Sequence, residues 1–351
     1  MTGPAGERDM SMMTALMRAV ELRATDIHIV VGRPVMCRIQ GELVAIGENN
    51  LSAADARTLC YSLLSSAQVR EFEHELDLDF VKPLGRNRFR INLSHNNGTV
   101  SAVIRVLNVE PLRLEAIRLP PIVEEICYRD KGLVLVTGTT SQGKTTTMAA
   151  LVDYINRHRN RNVITIEDPI EYLHENKQSI VRQREVGKDT RSFATGLKAA
   201  LRQDPNVIVI GEMRDYESIQ IALTAAETGA LVMSTLHTLS IDKVLERLLS
   251  YVPSDQETQI RLMLAESLLC IIHQELLSTL AGGKRVACEV LMNSNAVRNT
   301  IRKRETYHLK SFILTSEKTH GMRSMKHSLD QLLAEEEISP ETYEQVLVNY
   351  A

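Results

Sequence analysis

Residues 132–148, GLVLVTGTTSQGKTTTM, constrain the chain more than any other stretch, because an apolar run, a glycine-bounded turn and a helix start follow one another directly. Leu133, Val134, Leu135 and Val136 read as a strand buried on both faces, the pattern of a parallel sheet covered by helices. Residues 138–145, GTTSQGKT, fit G-x-x-x-x-G-K-[ST], a loop whose consecutive backbone N–H groups surround phosphate. Gly138, Thr139, Thr140, Ser141, Gln142 and Gly143 would line the anion, with Lys144, Thr145 and Thr146 at the helix start. In such a loop the lysine reaches the β- and γ-phosphates and the hydroxyl after it holds Mg²⁺, so the expected cofactors are ATP and Mg²⁺. The helix that follows adds its N-terminal dipole, and Met148, Leu151, Val152 and Ile155 form its buried stripe. Ser141 and Gln142 stand where many loops of this kind carry small residues or a further glycine, which predicts a backbone strain that the loop can bear.

The chain of 351 residues is long enough for two domains with separate cores, and an apolar fraction of 44% is ordinary for a globular protein. Residues 262–281 form the most hydrophobic helical candidate, yet Glu266, His273, Gln274 and Glu275 interrupt it and would be costly in a bilayer. No basic-then-apolar signal opens the chain. Five scattered cysteines without a C-x-x-C pair indicate neither a disulfide framework nor a zinc site and read as reduced thiols of a cytosolic protein. A net charge of −3, from 41 basic and 44 acidic residues, argues against a surface committed to nucleic acid, so none is expected as a partner.

Residues 1–109 read as a small α/β domain. A short helix near residues 14–22 leads to a half-buried strand at 26–31, a hairpin spans 35–46 around Gln40-Gly41-Glu42, and 51–75 are helical. Residues 88–94 and 100–107 flank Asn97-Gly98, a strong hairpin signal. A two-residue turn there pairs Ile91 with Ile104, Phe89 with Val106 and Leu93 with Ala102, making one face wholly apolar. The same register sets Arg90 opposite Arg105, with Arg88 nearby. Like charges facing each other are unfavourable, so the pair either binds an anion, such as a neighbour's phosphates, or diverges into water.

Residues 110–121, with prolines near both ends of PLRLEAIRLPP, read as an interdomain linker. From 122 to 295 strands alternate with helices, implying a mostly parallel sheet, with strand candidates at 163–166, 207–210 and 231–234 beside the phosphate-loop strand. Ligands of such sheets bind beyond the carboxyl ends of the strands, where Glu167, Glu212 and His237 fall. Glu212 reads as standing on a strand next to the phosphate loop, able to orient a water and take its proton or to bind Mg²⁺ through water; the alternative is an ion pair with Arg214. Glu167 could position Mg²⁺ or the attacking water, and His237 could sense the γ-phosphate or couple it to a carboxylate. Residues 296–351 read as a helical appendix, with Ser339-Pro340-Glu341 a helix start and Tyr343, Val346 and Leu347 its packing face.

These motifs together resemble the secretion-type ring ATPases, and among them the type IV pilus retraction ATPases of the PilT/PilU-like group. Residues 138–145 resemble that family's Walker A loop, ITIEDPIEY at 164–172 its aspartate box, DPNVIVIGEMRD at 204–215 its Walker B region and STLHT at 234–238 its histidine box. ATDIH at 24–28, RFRIN at 88–92 and AVRNTIR at 296–302 are similar to further family segments. The resemblance implies a RecA-like P-loop ATPase domain, a smaller PAS-like α/β domain before it and a helical appendix after it. It further implies Glu212 as catalytic base, and Arg90 and Arg105 as arginines that complete a neighbour's site in a homo-hexamer. The implied partners are an inner-membrane pilus platform protein and a paralogous retraction ATPase, at the cytoplasmic side of the inner membrane. Alternative readings are an accessory ATP-binding subunit dependent on an active paralogue, a pilus assembly or type II secretion ATPase, and a nucleic-acid translocase.

Overall fold

The computed structural model describes residues 10–39, 41–85, 87–107 and 110–350; Gln40, part of the expected hairpin turn, lies outside them. The chain divides into two compact units, Met1–Val109 and Glu110–Ala351.

The first unit runs α1 (Met12–Glu21), β1 (Asp26–Ile29), β2 (Met36–Ile39), β3 (Glu42–Ala45), α2 (Ala53–Tyr61), α3 (Ser66–Glu75), β4 (Asp77–Leu84), β5 (Asn87–Asn96) and β6 (Thr99–Leu107). Its six strands form one sheet in the order β3-β2-β1-β6-β5-β4. Asn97 and Gly98 take φ of +50° and +73°, the left-handed pair that a two-residue hairpin turn demands. The expected register follows, with Ile91 facing Ile104, Phe89 facing Val106 and Leu93 facing Ala102. These side chains meet Leu16, Ile27 and Phe72 in one core. The helical stretch at 51–75 is broken, because Ser65 and Gln68 form a capping box that starts α3 afresh. Strand β4 has no clear strand pattern in the sequence: Pro83 and its charges belong to an edge, where no strand on the outer side needs the missing N–H.

The second unit begins with α4 (Leu114–Ile117) and α5 (Ile122–Ile126), then β7 (Gly132–Thr137), α6 (Lys144–His158), β8 (Asn162–Glu167) and β9 (Ile180–Glu185). It continues with α7 (Phe193–Ala200), β10 (Val207–Ile210), α8 (Tyr216–Thr228), β11 (Leu231–Leu236), α9 (Ile241–Leu249) and α10 (Glu257–Ser267). Strands β12 (Leu268–Ser278) and β13 (Lys284–Met292) follow, then α11 (Asn295–Lys303), α12 (Leu309–His320), α13 (Met325–Ala334) and α14 (Pro340–Leu347). The sheet order is β13-β12-β7-β11-β10-β8-β9, parallel throughout except that β13 runs against β12.

Residues 262–281 are not one helix. Helix α10 ends at Ser267 and the same apolar run becomes β12, a strand beside β7. Ile271 packs into the core on one face of the sheet and Cys270 and Ile272 into the core on the other. A run buried on both faces shows neither helical nor strand periodicity, which is why the pattern misleads. The segment 110–121 is in part packed: Leu114 and Ile117 of α4 are buried with Leu151 and Ile155 of α6, and Arg118 pairs with Glu335 and Glu337. The C-terminal helices are likewise integral, with Val297, Ile301, Leu309 and Ile313 sharing a core with Leu133 and Leu135. Ser339 caps α14 by accepting from the Thr342 N–H at 3.2 Å, and Val346 is buried against Met325 and Leu329.

Candidate active site

The phosphate-loop strand β7 is buried along its whole length and delivers the chain to Gly138. Gly138 has φ of +147°, and a Cβ there would come within 2.5 Å of the Gln274 carbonyl oxygen, so the close approach of β12 leaves room for glycine alone. Gly143 ends the loop at φ +80° and is the N-cap of α6, with no side chain capping the helix. The first-turn N–H groups of α6 therefore face the loop's concavity, the arrangement that binds a phosphate. Ser141 carries the expected strain, with φ of +63°. Gln142 ties the loop to β12: its carbonyl accepts from Gln274 Nε2 at 2.7 Å, and its Oε1 accepts from the Leu276 N–H at 2.5 Å. Thr146 Oγ1 lies 2.9 Å from the Tyr172 hydroxyl, whereas Thr145 is exposed.

Lys144 is 7% exposed, and burial lowers its pKa from 10.5 to about 8, with Glu212 opposing the shift. Its ammonium donates to the carbonyls of Gly138 at 2.9 Å and Thr139 at 2.6 Å and to His237 Nδ1 at 3.2 Å. An ammonium has only donors, so Nδ1 of His237 accepts and the ring proton resides on Nε2. That nitrogen faces Glu212 Oε2 at 3.4 Å. Burial, and then the charge of Lys144, holds the His237 pKa below the ordinary histidine value, so the ring is neutral near pH 7.

Glu212 does not stand on a strand next to the phosphate loop. Strand β11 lies between β7 and β10, and Glu212 is joined to Lys144 through His237, which follows β11. Arg214, rather than being an alternative to that role, joins the same row with its guanidinium 2.6 Å from Glu212 Oε2. Thr139, Thr140, Arg214, His237, Thr238 and Leu239 line one cleft. Glu167 ends β8, next to β10, where Thr165 Oγ1 donates to its carboxylate at 2.6 Å and Gln183 Nε2 at 3.0 Å.

Lys144, His237, Glu212 and Arg214 thus follow one another across the carboxyl ends of β7, β11 and β10. The model for the family described as type II/IV secretion system protein matches residues 7–345. The chain belongs to the type II/IV secretion system protein family. Among its relatives in that family, the type IV pilus retraction ATPase PilT of Pseudomonas aeruginosa is 39% identical over 319 residues, spanning 91% of this chain and 92% of PilT. The type IV pilus ATPase PilU of the same organism is 35% identical over 332 residues, spanning 94% of this chain and 86% of PilU. A crystal structure of the pilus retraction motor PilT with bound ADP superposes with a TM-score of 0.85 at 39% identity, covering 96% of this chain and 97% of that one.

In this secretion-family chain the first unit holds the two predicted arginines. Arg90 does face Arg105 across the β5–β6 ladder, but the repulsion that pointed to an anion is met locally. Arg90 Nε lies 3.2 Å and an Nη 2.7 Å from the Asp79 carboxylate, and Arg105 Nε lies 3.0 Å from Asp26 Oδ1. Asp79 and Asp26 carry no sequence signal as partners, because no local pattern marks β4 as a strand or pairs β1 with β6. His273, Gln274 and Leu276 are hidden as supports of the loop in the same way, since residues 273–276 read as helix.

Proposed function

We propose that this P-loop ATPase is the subunit of a homo-hexameric motor that uses ATP to withdraw type IV pilus subunits. The observation that carries the reading is the row Lys144–His237–Glu212, which sets a buried cation, a neutral imidazole and a carboxylate side by side at the end of the phosphate loop. In this reading the α6 N–H groups and the loop from Gly138 to Gly143 bind the phosphates, and Lys144 exchanges its carbonyl partners for the β- and γ-oxygens. Glu212 accepts the proton of the attacking water, held in place by Arg214 and by the Nε2–H of His237. His237 thereby links the lysine that reads the γ-phosphate to the base that takes the proton of the attacking water.

The residues this reading assigns to the metal, the Thr145 hydroxyl with Glu167 and Glu212, offer oxygen alone, a set that suits magnesium better than a soft metal. Mg²⁺ bound there, directly by Thr145 and through water by the carboxylates, would neutralise charge on the transferred phosphoryl group. Arg90 and Arg105 of an adjacent subunit would leave their carboxylates to complete the site, as a head-to-tail ring permits. The names of the relatives PilT and PilU support a pilus role, and that of PilT a retraction role; the reading adds a pilus platform protein and a paralogous ATPase as partners at the cytoplasmic side of an inner membrane. No described helix is long and apolar enough to cross a membrane.

Mg²⁺-dependent phosphate release by the purified protein tests the reading. Glu212→Gln should retain ATP binding and lower turnover by at least about a hundredfold. Equal turnover would remove Glu212 as base, and a native protein that binds ATP without hydrolysing it would make this chain an accessory subunit. For direction, a deletion strain should carry excess surface pili; a strain without pili would assign assembly instead.

A further inference from the structure

Beneath the phosphate loop, residues 273–276 of β12 all make contacts that converge on it or on the chain after α14. Strand β7 ends at Thr137, opposite His273. Both side chains are buried, at 0% and 1% exposure, and Thr137 Oγ1 lies 3.0 Å from His273 Nδ1. Beyond that register β12 has lost its β7 neighbour, and the Gln142 side chain takes over by accepting from the Leu276 N–H. On the other side of the imidazole, His273 Nε2 lies 2.8 Å from the hydroxyl of Tyr350, which donates to Glu275 Oε1 at 2.7 Å.

The direction of every bond in this chain follows from Glu275, which only accepts when ionised. The Tyr350 proton therefore goes to Glu275, its oxygen accepts from His273 Nε2–H, and His273 Nδ1 is left to accept from Thr137. A neutral ring is required, and burial holds the His273 pKa at about 4. Tyr350 follows α14 and packs with Val346 and Leu347 against Leu277 of β12 and Met325 and Leu329 of α13. A single phenol oxygen thus connects the α13–α14 pair to the residue from which the phosphate loop departs.

We propose that His273 and Tyr350 are positioning residues of the phosphate loop, so that the placement of α13 and α14 sets nucleotide affinity and nucleotide binding in turn fixes those helices. The proposal rests on ATP binding at that loop. By linkage the coupling is reciprocal, so it is open to measurement from either end.

The test compares Tyr350→Phe with Tyr343→Phe in the full chain. Tyr343 is a second phenol, on α14 itself, bonded to a carboxylate, with its hydroxyl 2.8 Å from Asp330, and it takes no part in the loop contacts. Tyr350→Phe should raise the KM for ATP about three- to tenfold and leave kcat within about twofold, whereas Tyr343→Phe should change neither. Glu275→Gln keeps an acceptor for Tyr350 and should retain a near-native KM, while Glu275→Ala should reproduce Tyr350→Phe. In hydrogen exchange, saturating ADP should slow the amides of α14 and Tyr350 in the native chain and not in Tyr350→Phe. A native KM in a folded Tyr350→Phe protein would overturn the proposal, as would equal shifts in both tyrosine variants. A native chain that binds no ATP, together with an unchanged Lys144→Ala, would overturn the nucleotide reading itself, a result recognisable without any tyrosine variant.

Discussion

Lys144 and the Arg90–Arg105 pair are the basic groups expected to meet phosphate, and their surroundings differ in kind. Lys144 is buried, its direct partners are two carbonyls and a neutral histidine, and its charge is disfavoured enough to bring its pKa to about 8. The arginines are partly exposed and each sits on a carboxylate of its own sheet, Asp79 or Asp26. An under-compensated buried cation holds free energy that an anion can release on binding. A cation already paired at the surface holds almost none, since such pairs contribute no more than about 1 kcal/mol. The loop is therefore prepared for its anion by the fold itself, whereas the arginines must exchange one anion for another and gain from it only when a neighbour supplies phosphate in a water-poor setting.

The largest effect that could break this contrast concerns the arginines. If they complete a neighbour's site, Arg90→Ala and Arg105→Ala should each lower the turnover of the assembled ring by about a thousandfold. Thermal stability should change by at most about 1 kcal/mol in Arg90→Ala and by more in Arg105→Ala, which leaves the buried Asp26 carboxylate without its cation. Asp79→Asn and Asp26→Asn remove the competing anions and should leave turnover near native. Steady-state phosphate release at fixed oligomer concentration, with melting curves alongside, reads both quantities. Unchanged turnover in both arginine variants would reduce the pairs to local ion pairs and leave the completing residues to be found elsewhere.

A second, smaller effect sharpens the account of Lys144. With a free-state pKa of about 8, the lysine is largely neutral above that pH, and bound phosphates restore its charge. ATP binding near pH 8.5 should then take up about three-quarters of a proton, and affinity should fall by up to about tenfold for each pH unit above 8. Calorimetry in two buffers of different ionisation enthalpy counts the proton, and Lys144→Ala should abolish the uptake. The same shift bears on folding with a fixed sign: the unfolded chain holds this proton up to 10.5 and the folded one only to about 8, so this group's contribution to stability improves as pH rises between those values. Uptake that persists in Lys144→Ala would assign the proton to another group.

What could be read from the residues alone divides along a physical line. Local signals survived: the Asn97-Gly98 turn implies a register that the structure reproduces, and the strand–loop–helix order expected around Gly138 is the order found. Contacts made by elements distant in sequence did not. That β11 separates β7 from β10 is a matter of strand order, which no local pattern encodes, and it is what makes His237 the link to Glu212. Strand β12 escaped because burial on both faces erases the alternation that marks a strand, and with it went His273, Gln274 and Leu276. Arg90 looked unsatisfied because its carboxylate lies on β4, an edge strand whose proline and charges hide it.

The smallest effect tests whether strain is concentrated where the anion binds. Ser141 in the phosphate loop and Asn97 in the β5–β6 turn are both non-glycine residues with left-handed backbone, at φ of +63° and +50°. Asparagine visits that region readily, whereas serine does so at a cost of about 1 kcal/mol. Ser141→Gly should relieve that cost, less the greater entropy that glycine gives the unfolded chain, for a net stabilisation of at most about 0.5 kcal/mol, whereas the same entropy makes Asn97→Gly destabilising. Asn97→Gly should shift stability by roughly 0.5 kcal/mol or less, because there is little strain to remove. Denaturant melts of the two single variants, read for each unit with separate probes, make the comparison. Equal responses would show that the phosphate loop stores no more strain than an ordinary hairpin turn, and that the bonds from Gln142 to Gln274 and Leu276 only hold the loop in place rather than holding it against a conformational preference.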